Sequence, residues 1–242
     1  MINLALSLIL AGGNCMAAEN SKKWEFKAAD AAVIQVEADS GDISLEAAQG
    51  PSIKIEVIGE YDADKCEVTA ALVGSKLLAS AKGKKKWFWS NGNCKAGFRI
   101  TAPAGKKLIV KSGAGKAVIA GFLAGADIFS GAGTVEFKGL AGPISVKSGA
   151  GAIKGDIYSE EFAASTGAGT IDISWNKPPQ KGTAEIKTGA GSVTLTFPAG
   201  SRVHASYKAG VGSMSNELGD DPSASFKINV KSGAGSLDIK KY

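Results

Sequence analysis

A four-residue segment, Ser/Thr-Gly-Ala-Gly, constrains this chain more than any other feature. It starts at Ser112, Ser130, Ser148, Thr166, Thr188 and Ser232, with a degenerate copy at Ala209. Successive first positions are 18, 18, 18, 22, 21 and 23 residues apart. Its glycines are Gly113 and Gly115, Gly131 and Gly133, Gly149 and Gly151, Gly167 and Gly169, Gly189 and Gly191, Gly210 and Gly212, and Gly233 and Gly235. Self-similarity at a period of about twenty residues marks an architecture of stacked units, because one unit cannot bury its apolar face alone.

The flanks show what each unit is. Two residues before the Ser/Thr stand Val110, Ile128, Val146, Ala164, Ile186, Tyr207 and Val230. Four before it stand Leu108, Ala126, Ile144, Phe162, Ala184, Ala205 and Ile228. Alternation with period 2 is a strand with one buried face. After the segment, apolar residues resume at Val135, Ile153, Ile171, Val193 and Leu237, with the parity shifted by one. Each unit therefore reads strand, corner, strand, with glycine supplying backbone angles that other residues avoid. The pattern predicts an all-β, single-chain β-solenoid of about seven or more coils of 18–23 residues, each stacked on the last at about 4.8 Å. The hydroxyls of Ser112, Ser130, Ser148, Thr166, Thr188 and Ser232 should then form a ladder. The irregular spacing of Val146, Ile153, Ile157 and Phe162 favours a right-handed or irregular helix over a left-handed triangular one.

Composition enters at this point. Glycine makes up 32 of 242 residues, and 14 of them (2 × 7) lie in the seven corners. The absence of a three-residue glycine period and the 7 prolines exclude collagen. An apolar share of 44 % is enough to build a core. The single His, His204, excludes a His-rich metal site, and Arg202 two positions earlier places it on the surface side. No cofactor and no metal is implied.

The chain reads in three parts. Residues 1–18 hold the apolar run Ile2–Gly13 and a small-residue region, as in a secretory signal, without a basic residue in front. The run is too short to span a bilayer, and no later segment is long enough. Asn14 and Gly12 before Cys15 disfavour lipoprotein anchoring. Residues 19–97 hold strand patterns at 30–60, with Ser40-Gly41 as an early, imperfect coil, and then an interruption at 61–97. Residues 98–242 are the coils, continuous with 30–60. With Cys15 removed, Cys66 and Cys94 are an even pair, which suggests a disulfide in an exported chain, two unrelated buried thiols being the alternative. The interruption is read as an excursion or hairpin pinned by that bridge and capping one end. Lys240 and Lys241 at the chain's end should keep a last edge strand from pairing with another molecule.

Candidate sites follow from the register. The residues before each Ser/Thr, pointing outward, are Lys111, Phe129, Lys147, Ser165, Lys187, Lys208 and Lys231. Stacked, the five lysines make a broken basic stripe that can meet an anionic surface glycan or simply keep the surface solvated. Glu136, Asp172 and Asp238 face outward beyond the corner and offset part of the charge. Lys84, Lys85 and Lys86 run into Trp87 and Trp89, a basic-aromatic patch suited to sugars or to packing within a strand. Trp175, beside Asn176–Pro179, reads as an inter-coil loop residue. Glycan-cleaving chemistry needs paired carboxylates. The candidates Asp156, Glu160, Glu161 and Asp172 do not share one offset, so no catalytic residue is assigned. Net charge is +5, spread as +3 (15 − 12) over residues 1–111 and +2 (13 − 11) over 112–242. Neither part is a polycation, and nucleic acid is not an expected partner.

The pattern I-x-V-K-S-G-A-G-x-I-x-I, with the Phe98–Gly105 and Leu195–Gly200 strands ending in Pro-Ala-Gly, resembles the β-solenoid domains of bacterial envelope proteins that carry a provisional adhesin label. The resemblance covers about 30–242. It implies an exported, non-enzymatic binding or scaffolding protein of the periplasm or cell surface, whose partner is an anionic glycan or another envelope protein. The alternatives are a glycan-active β-helix enzyme and a structural module that self-associates through its ends.

Overall fold

The computed structural model describes residues 22–86, 90–91 and 94–242. The signal reading of 1–18, with Cys15, and the patch residues Trp87 and Trp89 lie outside the described residues, as do the side chains of Lys85 and Lys86. The described chain is all-β, with one 3-10 turn at Ala28–Asp30. Two large sheets face each other across one core, and they are not closed into a barrel.

Each unit contributes one strand to each sheet. The ten-stranded sheet takes the strand that runs into the corner, as in Lys107–Ala114, Ala126–Ala132, Ile144–Ala150, Glu161–Ala168 and Gly182–Ala190. The eleven-stranded sheet takes the strand that leaves it, as in Ala117–Ala120, Val135–Ala141, Ile153–Tyr158, Ile171–Trp175 and Val193–Phe197. Neighbouring units pair in parallel with equivalent residues aligned: Val110 opposes Ile128, Ile128 opposes Val146, and Ser130 opposes Ser148. The alternating apolar residues of both sheets form the core. Val110, Phe137, Phe162 and Leu195 are all at most 1 % exposed.

The two glycines of a corner do different work. The second has a positive φ, +117° at Gly133 and +115° at Gly151, which disfavours a side chain. The first has no such angle, but a Cβ on Gly131 would stand 2.4 Å from the Gly113 carbonyl oxygen of the neighbouring unit. The stacking distance, as much as the bend, demands glycine. The Ser/Thr between strand and glycine turns inward, and its buried hydroxyls form a ladder. Ser112, Ser148 and Thr166 donate to the carbonyls of Ala114, Ala150 and Ala168.

The order of units departs from simple stacking at both ends. At the C-terminal end, Phe226–Ala234 lies between Gly182–Ala190 and His204–Val211, so the last unit in sequence is enclosed and the degenerate one is outermost. The sequences show why. Phe226, Ile228 and Val230 supply three side chains at most 1 % exposed, which an enclosed strand needs. His204–Val211 has no fully buried residue and so suits the edge. Lys240 and Lys241 therefore do not guard the edge, because Leu237–Lys241 lies between Val193–Phe197 and the short edge strand Met214–Asn216.

The N-terminal end repeats the exchange. Val33–Ala38 and Ile43–Ala47 pair with Lys107–Ala114 and Ala117–Ala120, while Lys76–Gly83 and Gly97–Ala102 lie outside them. The stretch 61–97, read as an interruption, thus supplies a parallel strand to the stack. Antiparallel strands finish this end: Cys66–Val73 on one sheet, and Ser52–Ile58 and then Lys23–Lys27 on the other. Cys66 and Cys94 form a disulfide, with Cα atoms 5.1 Å apart. Trp175 is a core residue in its strand rather than a loop residue. It stacks on Phe197 at 4.5 Å between centroids, and its indole N–H donates to the Ser159 carbonyl.

Candidate functional site

The outward face of the ten-stranded sheet carries the candidate site. Lys111, Phe129, Lys147, Ser165 and Lys187 oppose one another from strand to strand, and Lys231 and then Lys208 extend the row at the C-terminal end. The register thus brings all five predicted lysines onto one line, with their side chains exposed. Gly131, Gly149, Gly167, Gly189 and Gly233 lie two residues further along the strands and are also exposed. The row is bordered on that side by a shelf without side chains.

Along its length the row changes character. At the N-terminal end it continues through Glu37, which opposes Lys111. Glu37 takes Lys111 at 2.8 Å and Lys82 at 2.6 Å. The hydrogen bonds from Lys111 and then Lys82 lower its carboxyl from 4.5 to about 2. One carboxylate therefore holds both cations of this end and offsets one of their two charges. Sequence reading missed Glu37, although it stands at the same offset in its unit as the lysines do in theirs. The corner there has the same length but reads Ala38-Asp39-Ser40-Gly41, so the Gly-Ala-Gly marker is absent, and Ala38 is the residue aligned with Ser112. Next along the row, Phe129 is 42 % exposed, and the Lys147 ammonium stands 5.9 Å from its ring centroid. Glu37, Lys82, Lys111, Phe129 and Lys147 line an open groove of about 460 Å3.

At the C-terminal end, Lys187, Lys231 and Lys208 stand on three adjacent strands, about 4.8 Å apart. Among the described residues none of them is in a salt bridge. The nearby carboxylates are engaged elsewhere. Glu185 accepts from the Asn229 amide at 2.6 Å, and Asp220 accepts from the Ala205 N–H and lies beside the His204 ring. Lys227, four residues before Lys231 on the same face, adds a further cation.

The other sheet is different. Glu136, Asp172 and Asp238, expected to offset the lysines, lie on the outward face of the eleven-stranded sheet, away from them. Their row alternates in sign and polarity: Glu136, Lys154, Asp172, Thr194, Asp238. Glu136 is paired with Lys116 and Lys138, and the Lys116 hydrogen bond lowers its carboxyl. One face is balanced and the other carries a basic line.

The remaining candidates are dispersed. Lys84 reaches the Ala63 carbonyl, and Lys85 lies in a two-stranded ribbon with Asn91. The carboxyl of Asp156 accepts the Gly139 N–H, which holds a bulge in its strand. Glu161 lies on the other sheet from Asp156 and Asp172. Arg202 pairs with Asp221 at 2.7 Å. Among the described residues no three His, Cys, Asp or Glu converge as a metal site, and no helix is long and apolar enough to cross a membrane.

No known family matches the sequence, and no curated protein matches it. Solved structures do match. A provisionally named adhesin of Bacteroides fragilis is 16 % identical over 92 % of this chain and 98 % of its own, with a TM-score of 0.44. A provisionally named cell adhesion protein of Clostridium sporogenes is 14 % identical over 92 % and 100 %, with a TM-score of 0.39. A provisionally named lipid-binding protein of Parabacteroides distasonis is 13 % identical over 93 % and 98 %, with a TM-score of 0.35.

Proposed function

We propose that this chain is an exported, non-enzymatic β-solenoid that binds an anionic polymer of the bacterial envelope along the outward face of its ten-stranded sheet. The carrying observation is the alignment of Lys111, Lys147, Lys187, Lys231 and Lys208 in one exposed row, while the opposite face balances its charges. The solenoid reading rests on the parallel pairing of equivalent residues in both sheets. Export rests on the buried Cys66–Cys94 disulfide, which persists in oxidising compartments. The non-enzymatic reading rests on Glu161 lying on the other sheet from Asp156 and Asp172, and on the Asp156 carboxyl being held by the Gly139 N–H of a strand bulge, where a free carboxylate pair would be required.

The row acts through charge, so its binding is salt-dependent. Retention on a polyanionic glycan matrix at low salt, with elution as salt rises, is expected for the wild type. The variant carrying Lys147→Gln, Lys187→Gln and Lys231→Gln should elute at much lower salt. Wild-type protein that passes through the matrix unretained, or a variant that elutes with the wild type, overturns the proposal.

A further inference from the structure

The row is not uniform, and its asymmetry says what kind of ligand it fits and how the ligand lies. At one end Glu37 already holds Lys82 and Lys111. At the other end Lys187, Lys231 and Lys208 are exposed on adjacent strands with no carboxylate in ion-pair contact among the described residues. Between them Phe129 presents an exposed ring, flanked by Lys147. The row itself is one residue wide, with Lys227 as a further cation four residues behind it on the same face. On one side the row is bordered by Glu185, Asn229 and Ser206, and on the other by the exposed glycines Gly189, Gly210 and Gly233.

Geometry restricts the partner. From Phe129 to Lys208 the row crosses five strand spacings, or about 24 Å. A single basic line of that length, beside a smooth glycine shelf, matches a single extended chain running across the strands. A duplex or a membrane surface presents anions over a breadth that one line of lysines cannot meet. An aromatic ring in the same line adds a flat apolar surface, which stacks on the C–H face of a sugar ring. Resting on the binding role proposed above, we infer that the ligand is a linear acidic polysaccharide lying along the stack, with its carboxylates or other acidic groups over Lys187, Lys231 and Lys208 and a sugar ring on Phe129. The Glu37 end contributes less, because its two lysines share one carboxylate and keep a net charge of only +1.

Binding of the full chain to polygalacturonate, with dextran, duplex DNA and anionic phospholipid vesicles as comparison probes, tests this. The variant carrying Lys187→Gln, Lys231→Gln and Lys208→Gln should bind polygalacturonate at least tenfold more weakly and with a clearly shallower salt dependence, by roughly one counterion per lysine removed. Replacing Lys82, Lys111 and Glu37 together with Gln, which removes a net charge of only +1, should change affinity far less than the loss of Lys187, Lys231 and Lys208 does. Glu37→Gln, which releases both lysines, should strengthen it. Phe129→Ala should weaken binding to polygalacturonate several-fold and leave any residual binding to DNA or vesicles unchanged. All the lysines are exposed, so a cooperative melting transition within a few degrees of the wild type shows that the variants are folded. Equal losses from the two lysine sets contradict the asymmetry while leaving the binding role intact. DNA or vesicles bound as tightly as polygalacturonate contradict the choice of a polysaccharide. Wild-type protein that binds none of the polyanions overturns the binding role itself.

Discussion

The two ends of the stack solve one problem in different ways. A sheet that ends in a bare strand leaves backbone groups and core side chains open to water and to other chains. At the C-terminal end the chain overshoots, lays down an outer unit and returns to fill the place beneath it, whereas at the N-terminal end it lays down Val33–Ala38 and Ile43–Ala47 first, passes outward to Lys76–Gly83 and Gly97–Ala102, and then crosses back to Lys107–Ala114. The N-terminal end then adds antiparallel strands on both sheets and a covalent bridge from Cys66 to Cys94, while Trp24 and Phe26 pack partly over the core. The C-terminal end relies on noncovalent cover. Leu218 packs on the core, Tyr207 donates its hydroxyl to the Gly235 carbonyl, and Asp220 occupies the Ala205 N–H. The difference extends to charge: the pinned end offsets half the charge of Lys82 and Lys111 through Glu37, and at the other Lys187, Lys231 and Lys208 have no salt bridge among the described residues. The comparison teaches that an open stack can be closed by different devices, a covalent bridge with antiparallel strands at one end and noncovalent cover at the other.

The largest expected effect tests the interior beneath the C-terminal units. Trp175 packs with Phe162, Phe197 and Phe226, so Trp175→Ala should cost about 4 kcal/mol in denaturant unfolding. A loss below about 1 kcal/mol would show that this end does not depend on its aromatic cluster. Removing the bridge with Cys66→Ser and Cys94→Ser should cost roughly 3 kcal/mol, for a separation of 28 residues. Hydrogen exchange should then rise in 52–102 and leave 182–241 unchanged. Uniform loss of protection would mean that the two ends are not independent. At the C-terminal edge, Tyr207→Phe should cost about 1 kcal/mol and raise exchange only in the last two units.

The smallest effect concerns acid. Glu37 is lowered from 4.5 to about 2 in the fold, so the unfolded chain takes up its proton first as pH falls. Its contribution is complete above about 4.5 and disappears as pH falls towards about 2. The lysine partners are about half exposed, so Glu37→Gln should cost no more than about 1 kcal/mol at pH 7, and the difference from wild type should vanish at low pH. A difference that persists at pH 2 would assign the effect to packing.

Much of the fold could be read because it is written in a period. The Ser/Thr-Gly-Ala-Gly interval located the corners, and the alternation at Val110, Ile128 and Val146 set the buried face. Cys66 and Cys94 were paired by parity. The order of units at the ends could not be read. Every unit offers the same pairing edges, so which neighbour a strand takes depends on which one buries Phe226, Ile228 and Val230 better than His204–Val211 does. Trp175 was misplaced because Pro178 and Pro179 signalled a loop that begins just after it. In the candidate site, the lysine row follows from the period, but the pairing of its N-terminal end with Glu37 does not. Glu37 belongs to a unit whose corner lacks the Gly-Ala-Gly marker.

The exchanged order at the C-terminal end is the most direct thing to test, since it sets which lysines are neighbours. Lys187 directly opposes Lys231, and Lys208 lies one strand beyond. A disulfide needs Cα atoms within about 7 Å, which adjacent strands satisfy and strands two apart, at about 9.6 Å, do not. Oxidation of the double variant with Lys187→Cys and Lys231→Cys should therefore form an intramolecular bridge readily, and the variant with Lys187→Cys and Lys208→Cys should not. The reverse outcome, a bridge between positions 187 and 208 and none between 187 and 231, would mean that the units stack in sequence order and would contradict the account.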